Sequence, residues 1–382
     1  MKKSLLQTID TIFLIIFFVL MFIPISHINR AEMSYQENRV LAKFQPLIKE
    51  NNKINFEFGK NFDDWFSDRF ATRKILIKLN HIIKLKFVND IYSEEPRYFS
   101  KSSHWAFNGD WVTSDDKKEF KFEEFEKNIR KLNDFCNNNN IKLYILIAPL
   151  SAEVYEDEFK RVTNRLTVKN AGYDFANYSK SKNLNMVITP LNELKSVKSF
   201  YPYSKGDVHW NEYGGYIAYK TVMKIIRKDF PNLVTLNDDD FTITSSNYSK
   251  TDYNNYPNKG NLYRELNIPN KYLDTKYYHF EYKKLNDIKR TPDDAPDEYT
   301  YNKSALNPQT VYIIGSSYEE CPADFFIETF QKVIKRRYNT KGNGKLQLVR
   351  FKDEVIKYKP DILLLVLLSH NISNFNDLFT EN

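Results

Sequence analysis

Between Ile12 and Ile25 the chain reads IFLIIFFVLMFIPI, and Asp10 and Arg30 bracket 19 uncharged positions. At 1.5 Å of rise per residue, a helix of that length just spans a ~30 Å hydrocarbon layer. Lys2 and Lys3 precede the run, and residues 26–32 offer no small-x-small cleavage site. The pattern therefore predicts an uncleaved signal anchor over residues 1–30, in preference to the cleaved signal peptide that the same run also fits, with the N-terminus inside and the body extracytoplasmic, on the periplasmic or cell-surface side. No later run has this quality. Residues 31–115 are basic and aromatic and are expected to pack on the body. Within them Asn61 to Phe87 has helical spacing through Phe62, Trp65, Phe66, Phe70, Ile75, Leu76 and Leu79, and an aromatic stretch from Tyr98 to Trp111 turns at Gly109.

From about Phe120 the period changes to alternating helix and strand. Phe122, Phe125, Ile129 and Leu132 mark one helix face, the run Asn137 to Asn140 ends it, and Leu143 to Ala148 is a buried strand closed by Pro149. A second amphipathic helix is predicted over Trp210 to Phe230, with Tyr213, Ile217, Thr221 and Ile225 inward. Two more units follow: strand Val311 to Ile314 with a helix over Phe325 to Ile334, then strands Leu346 to Phe351 and Ile362 to Leu368. Helices alternating with short apolar strands predict an α/β fold, a mostly parallel sheet with helices on both faces, over residues 116–382. A polar, Tyr/Asn-rich insertion interrupts it at about residues 236–305.

Composition narrows the function. The chain has 382 residues, 42% apolar and 15% aromatic, which excludes global disorder. A net charge of +7, from 56 basic and 49 acidic residues without a basic block, argues against a nucleic-acid partner. Two cysteines, Cys136 and Cys321, exclude a disulfide scaffold and read as unpaired. The six histidines are scattered, so no metal or cofactor is expected.

Chemistry concentrates where predicted strands end. Gly315-Ser316-Ser317-Tyr318 follows the strand VYII, and a serine there lies at the sheet edge near a helix N-terminus, suited to nucleophilic attack. Small residues in such a turn also serve as helix caps. Asp207-Val208-His209-Trp210 precedes the second helix; imidazole is a base of suitable pKa, and a carboxylate two residues away can fix its tautomer. Ser369-His370-Asn371 ends the last strand, so His370 is a rival base and Asn371 a candidate oxyanion donor.

Together these motifs resemble the SGNH-hydrolase-like domain of the alginate O-acetyltransferase (AlgJ/AlgX) and DHHW group. Asp207, His209 and Trp210 match its D-x-H-W motif, and Gly315 to Tyr318 its G-[ST]-S-[YF] motif, which puts the nucleophile at Ser317. Glu37-Asn38-Arg39, Trp65-Phe66 with Asp68-Arg69-Phe70 and Arg73, Ala148-Pro149 and Tyr155 are further matches. The chain departs from the pattern after the last strand, where Ser369-His370-Asn371 replaces the family's acidic residue and arginine. The resemblance implies a three-layer α/β/α fold and a membrane-anchored, extracytoplasmic O-acyltransferase that acetylates a polysaccharide. Ser317, His209 and Asp207 would be catalytic, and Tyr318, Asn371 and Trp210 would serve substrate or oxyanion binding. It also implies a membrane-bound O-acyltransferase partner as acetyl source. A carbohydrate esterase, or a non-catalytic polysaccharide-binding or assembly subunit, are the alternatives. The tyrosines Tyr248, Tyr253, Tyr256 and Tyr263 of the insertion are a candidate wall for a sugar groove.

Overall fold

A computed structural model describes residues 11–19, 29–34, 39–49, 53–70, 73–109, 121–163, 168, 171–198, 200–247, 261–274, 276–283, 288–290, 298–337, 353, 355–370 and 372. Two compact units emerge: Met1–Tyr92 with Tyr263–Tyr272, and Ser93–Leu262 with Leu273–Asn382.

In the first unit residues 11–19 are helical. Among the described residues no helix is long and apolar enough to cross a membrane; the rest of the expected anchor lies outside them. Helices α1 (Phe58–Arg69) and α2 (Arg73–Phe87) replace the single helix expected over residues 61–87. Phe70 leaves helical geometry at φ −55°, ψ 121°, which ends α1. The end of α1 pins the segment before it. Asp68 accepts from the Ala42 N–H at 2.7 Å, while the Arg69 guanidinium donates to the carbonyls of Asn29, Ala31 and Ala42. Tyr263, proposed above as a groove wall, is buried in this unit. A buried ring is no sugar platform, and Tyr248, Tyr253 and Tyr256 lie outside the described residues.

The second unit carries the main sheet. A hairpin of β1 (Arg97–Ser100) and β2 (Ala106–Asn108) precedes α3 (Phe122–Asn138), β3 (Lys142–Ala148), α4 (Ala171–Ser181) and β4 (Val187–Ile188). Then come α5 (Glu212–Asp229), a hairpin of β5 (Phe241–Asn247) and β6 (Lys276–Tyr282), and the strands β7 (Ile288–Arg290) and β8 (Glu298–Asn302). The chain closes with β9 (Asn307–Gly315), α6 (Glu320–Thr329), β10 (Phe330–Arg337) and β11 (Ile362–Leu368). The seven-stranded order is β7-β8-β10-β9-β11-β3-β4. The five strands from β10 to β4 are parallel, while β8 and β7 add antiparallel pairs at one edge. Part of the expected insertion thus belongs to the main sheet itself.

Alternation along β3 explains the layers. Leu143, Ile145 and Ile147 meet Phe125, Ile129 and Leu132 of α3 and Phe175 of α4 on one face. Tyr144 points the other way, and its hydroxyl donates to Asp229 of α5 at 2.6 Å. Every residue of β11 is buried, as a central parallel strand requires. Helix α6 ends at Thr329, so Phe330 to Ile334, expected as helix, is strand: Val333 and Ile334 are β-branched and pair with Val311 and Tyr312. Leu346 to Phe351 lie outside the described residues. β3 connects toward β4 and β9 toward β10, in opposite directions, which opens a crevice at the carboxyl edge between them.

Candidate active site

β9 delivers the serine. Gly315 ends the strand beside Val366 of β11, and a Cβ there would lie 2.7 Å from the Glu319 Cβ and 2.9 Å from the Val366 Cβ. Only glycine lets the chain turn this tightly. Ser316 takes the cap position, its hydroxyl oxygen accepting from the Tyr318 N–H at 3.4 Å, and a 3-10 turn over Ser317–Glu319 leads into α6. Ser316 therefore faces its own backbone and Ser317 is free to face the crevice.

A second loop delivers the base. Tyr203 and Trp210 form an antiparallel bridge, the Asp207 N–H donates to the Ser204 carbonyl at 3.1 Å, and the Tyr203 hydroxyl donates to the Pro149 carbonyl at 2.5 Å. Asn211 caps α5, accepting from Gly214 N–H at 3.1 Å. The loop is thereby fixed on both sides of His209.

The two loops meet. His209 Nε2 lies 2.7 Å from Ser317 Oγ across 108 residues of sequence, and His209 Nδ1 lies 2.8 Å from Asp207 Oδ1. The same carboxylate oxygen accepts the His209 backbone N–H at 2.9 Å, so ring and backbone are held by one buried acid. With Nδ1 donating to Asp207, Nε2 is left as the acceptor for the serine proton. The arrangement can transfer a proton from Ser317 to His209 while Asp207 steadies the imidazolium. It is His209, not His370, that makes the hydrogen bond to Ser317.

Tyr318 and Trp210, expected to bind substrate or oxyanion, are buried and bonded to the scaffold. The Tyr318 hydroxyl donates to the Val208 carbonyl at 2.6 Å, and Trp210 Nε1 donates to the Tyr318 carbonyl at 2.9 Å. The Tyr318 ring packs on His209 with centroids 4.9 Å apart. Burial, with the carboxylates of Asp207 and Glu153, raises the Tyr318 hydroxyl well above its ordinary pKa, so it remains a donor. These side chains tie the serine turn to the histidine loop. Asn371 lies outside the described residues. Among the described residues no cluster of three or more His, Cys, Asp or Glu side chains could hold a metal.

Two features escape sequence reasoning. Glu153, in a helical turn after β3, is fully buried; its carboxylate accepts from the Leu150 N–H at 2.5 Å and from the Ser369 hydroxyl at 2.8 Å, and Ser369 in turn accepts from the Gly172 N–H at 3.0 Å. Ser369 thus joins the ends of β3, β11 and the start of α4, just behind the crevice. The only sequence signal was a glutamate three residues beyond the strand-ending Pro149-Leu150. The second feature is Tyr201, eight residues before His209 and 44% exposed. It meets Trp105 edge-on at 5.8 Å, with the Lys205 ammonium 5.1 Å above its ring. Tyr201 thus presents an exposed aromatic side chain, framed by Trp105 and Lys205, on the histidine loop.

The sequence profile described as SGNH hydrolase-like domain, acetyltransferase AlgX, matches residues 102–336. No curated protein sequence matches the chain. Among solved structures, Bacillus cereus PatB1 with a sulfonyl adduct is similar at 14% identity and a TM-score of 0.54, over 77% of this chain and 100% of that one. A DHHW family protein from Eubacterium siraeum is similar at 14% identity and a TM-score of 0.52, over 77% and 99% of the two chains. At that identity the likeness is one of fold. The profile match covers more than half of the sequence and both loops of the site, and on it the chain belongs to the AlgX family of SGNH hydrolase-like acetyltransferase domains.

Proposed function

We propose that this protein is a serine-dependent O-acetyltransferase that works outside the cytoplasm on a polysaccharide. The observation that carries the reading is the unbroken hydrogen-bonded series Ser317–His209–Asp207 at the carboxyl edge of the sheet. His209 accepts the Ser317 proton as Oγ attacks the donor's acyl carbon; the tetrahedral intermediate collapses and the leaving group departs with that proton. A sugar hydroxyl then attacks the acyl-serine, His209 taking its proton; collapse forms the sugar ester, breaks the acyl–Oγ bond and returns that proton to Oγ. The Ser317 N–H, at the start of the turn into α6, is the oxyanion donor on the described chain. Family membership supports acetyl as the group moved. In this reading the apolar run of residues 12–25 holds the protein in a membrane, where a membrane-bound O-acyltransferase supplies acetyl groups.

The test is to incubate the chain with a small acetyl ester, quench it rapidly and map the acetyl group by peptide mass. It should sit on Ser317 in the native protein, be absent from Ser317→Ala and fall sharply in His209→Ala. A phenylsulfonyl fluoride should modify the same serine. Native occupancy at another residue, or none with either reagent, would overturn the assignment.

A further inference from the structure

Helix α2 reads RKILIKLNHIIKLKF: five basic residues and no acidic one in Arg73–Phe87. Leu85 is buried and Ile77 and His81 are half-buried, and these three lie on one face of the helix. The opposite face carries Ile75, Leu76, Leu79, Ile82, Ile83 and Phe87, between 39% and 79% exposed. At 100° per residue these six occupy one continuous arc of about 140°. Lys78 borders the arc on one side, Lys84 and Arg73 on the other, and Lys86 rises within it. A folding core explains the first face and leaves the second unaccounted for.

We infer that the exposed face of α2 lies on an anionic lipid surface, buried in the boundary between headgroups and acyl chains. The pattern is that of a helix lying in a membrane interface: aliphatic residues and a phenylalanine on the inserted arc, with lysines at its borders long enough to reach the phosphates. Charge complementarity selects the occupant, because a segment of +5 with no acid is attracted to anionic headgroups by about 1 kcal/mol per basic residue near the surface. The apolar run of residues 12–25 lies in the same unit of the chain and, where it spans a membrane, brings α2 to that membrane's surface. The inference rests on that location and not on the chemistry at Ser317.

The experiment uses the full chain reconstituted into phosphatidylethanolamine vesicles containing phosphatidylglycerol. Spin labels are placed at Leu79→Cys, Ile83→Cys or Lys228→Cys, with Cys321→Ala removing the half-buried thiol. Cys136 stays in place, because it is buried and its thiol is pushed up to about 12. Labels at positions 79 and 83 should collide with oxygen several-fold more than with a water-soluble nickel chelate, and the label at 228 should show the reverse. Lys78→Glu combined with Lys84→Glu should raise nickel access at position 79. Floating protein whose labels at 79 and 83 are as open to nickel as that at 228 would overturn the inference, and would assign the face to another protein chain. Protein that does not float would instead refute the membrane location.

Discussion

A serine hydroxyl is a weak nucleophile near neutral pH, and the side chains around Ser317 are arranged to correct that. Asp207 is the least replaceable of them, since one oxygen holds both the ring and the backbone of His209. In Asp207→Asn the amide oxygen can still accept from the backbone, but Nδ1 loses its anionic partner and the tautomer is no longer imposed. Ester turnover should fall about 10³- to 10⁴-fold with little change in KM; a loss under tenfold would contradict the role given to the carboxylate. Glu153 makes a different prediction. Burial lifts its carboxyl from 4.5 to about 7 against the opposing hydrogen bonds from Leu150 and Ser369. Between those values the folded chain binds more protons at this site than the unfolded chain, so this group weakens the fold as pH rises through the window. The shift corresponds to about 3 kcal/mol, fully expressed above pH 7. Glu153→Gln cannot ionise, so its stability relative to the native chain should improve by roughly that amount between pH 4 and pH 8. Parallel denaturant titrations of the two proteins across that range check it; curves that keep a constant separation would refute it.

At the scale of elements, the site is the junction of two helix entrances, and the packing of α5 on α6 sets its geometry. Gly215 lies at that contact: a Cβ there would lie 2.5 Å from the Cys321 Cβ and 2.8 Å from its backbone carbonyl carbon. Gly215→Ala must push the helices apart, at a cost of about 1–3 kcal/mol. Because His209 precedes one helix and Ser317 the other, turnover should drop together with Tm. A variant with lowered Tm and native turnover would show that the loops hold the pair unaided. Much of this layer was legible in the sequence. β3 and β11 are short apolar runs between turn residues, and α3 has one clean apolar stripe. α5 was less so: the face Tyr213, Ile217, Thr221 and Ile225 was expected inward, yet Tyr219, Val222 and Ile226 are fully buried while Tyr213, Thr221 and Ile225 are half-buried. The reason is a second cover. Tyr216 packs on Phe241 and Phe280 of the β5–β6 hairpin as well as on Phe325 of α6, so α5 is buried over more than one stripe. Asp-x-His and Gly-Ser-Ser were visible as motifs because their chemistry is local. The Glu153–Ser369 link was not, because it joins positions 216 residues apart through side chains common anywhere in a chain.

At the scale of the whole molecule, one crevice must choose between two acceptors for the same acyl group. Water is present at roughly 55 M, so a sugar hydroxyl prevails only if it is held in place; well-oriented groups reach effective molarities of about 10⁵ M or more. Tyr201, exposed beside Trp105 on the loop that carries His209, is proposed here to hold one. In the proposed mechanism both outcomes pass through one acyl-serine, which makes partitioning the informative measurement. With a small acetyl ester and increasing oligosaccharide, acetylated sugar should grow at the expense of free acetate. The ratio of the two products should be the same for acetyl esters with different leaving groups, because they share the intermediate. Tyr201→Ala should shift the ratio toward acetate by about 10-fold, the loss of one stacking contact of ~1–1.5 kcal/mol, while ester cleavage without sugar stays unchanged. Free acetate as the sole product with every oligosaccharide tried, at full cleavage rate, would make the protein an esterase, because the crevice would then hold no acceptor better than water.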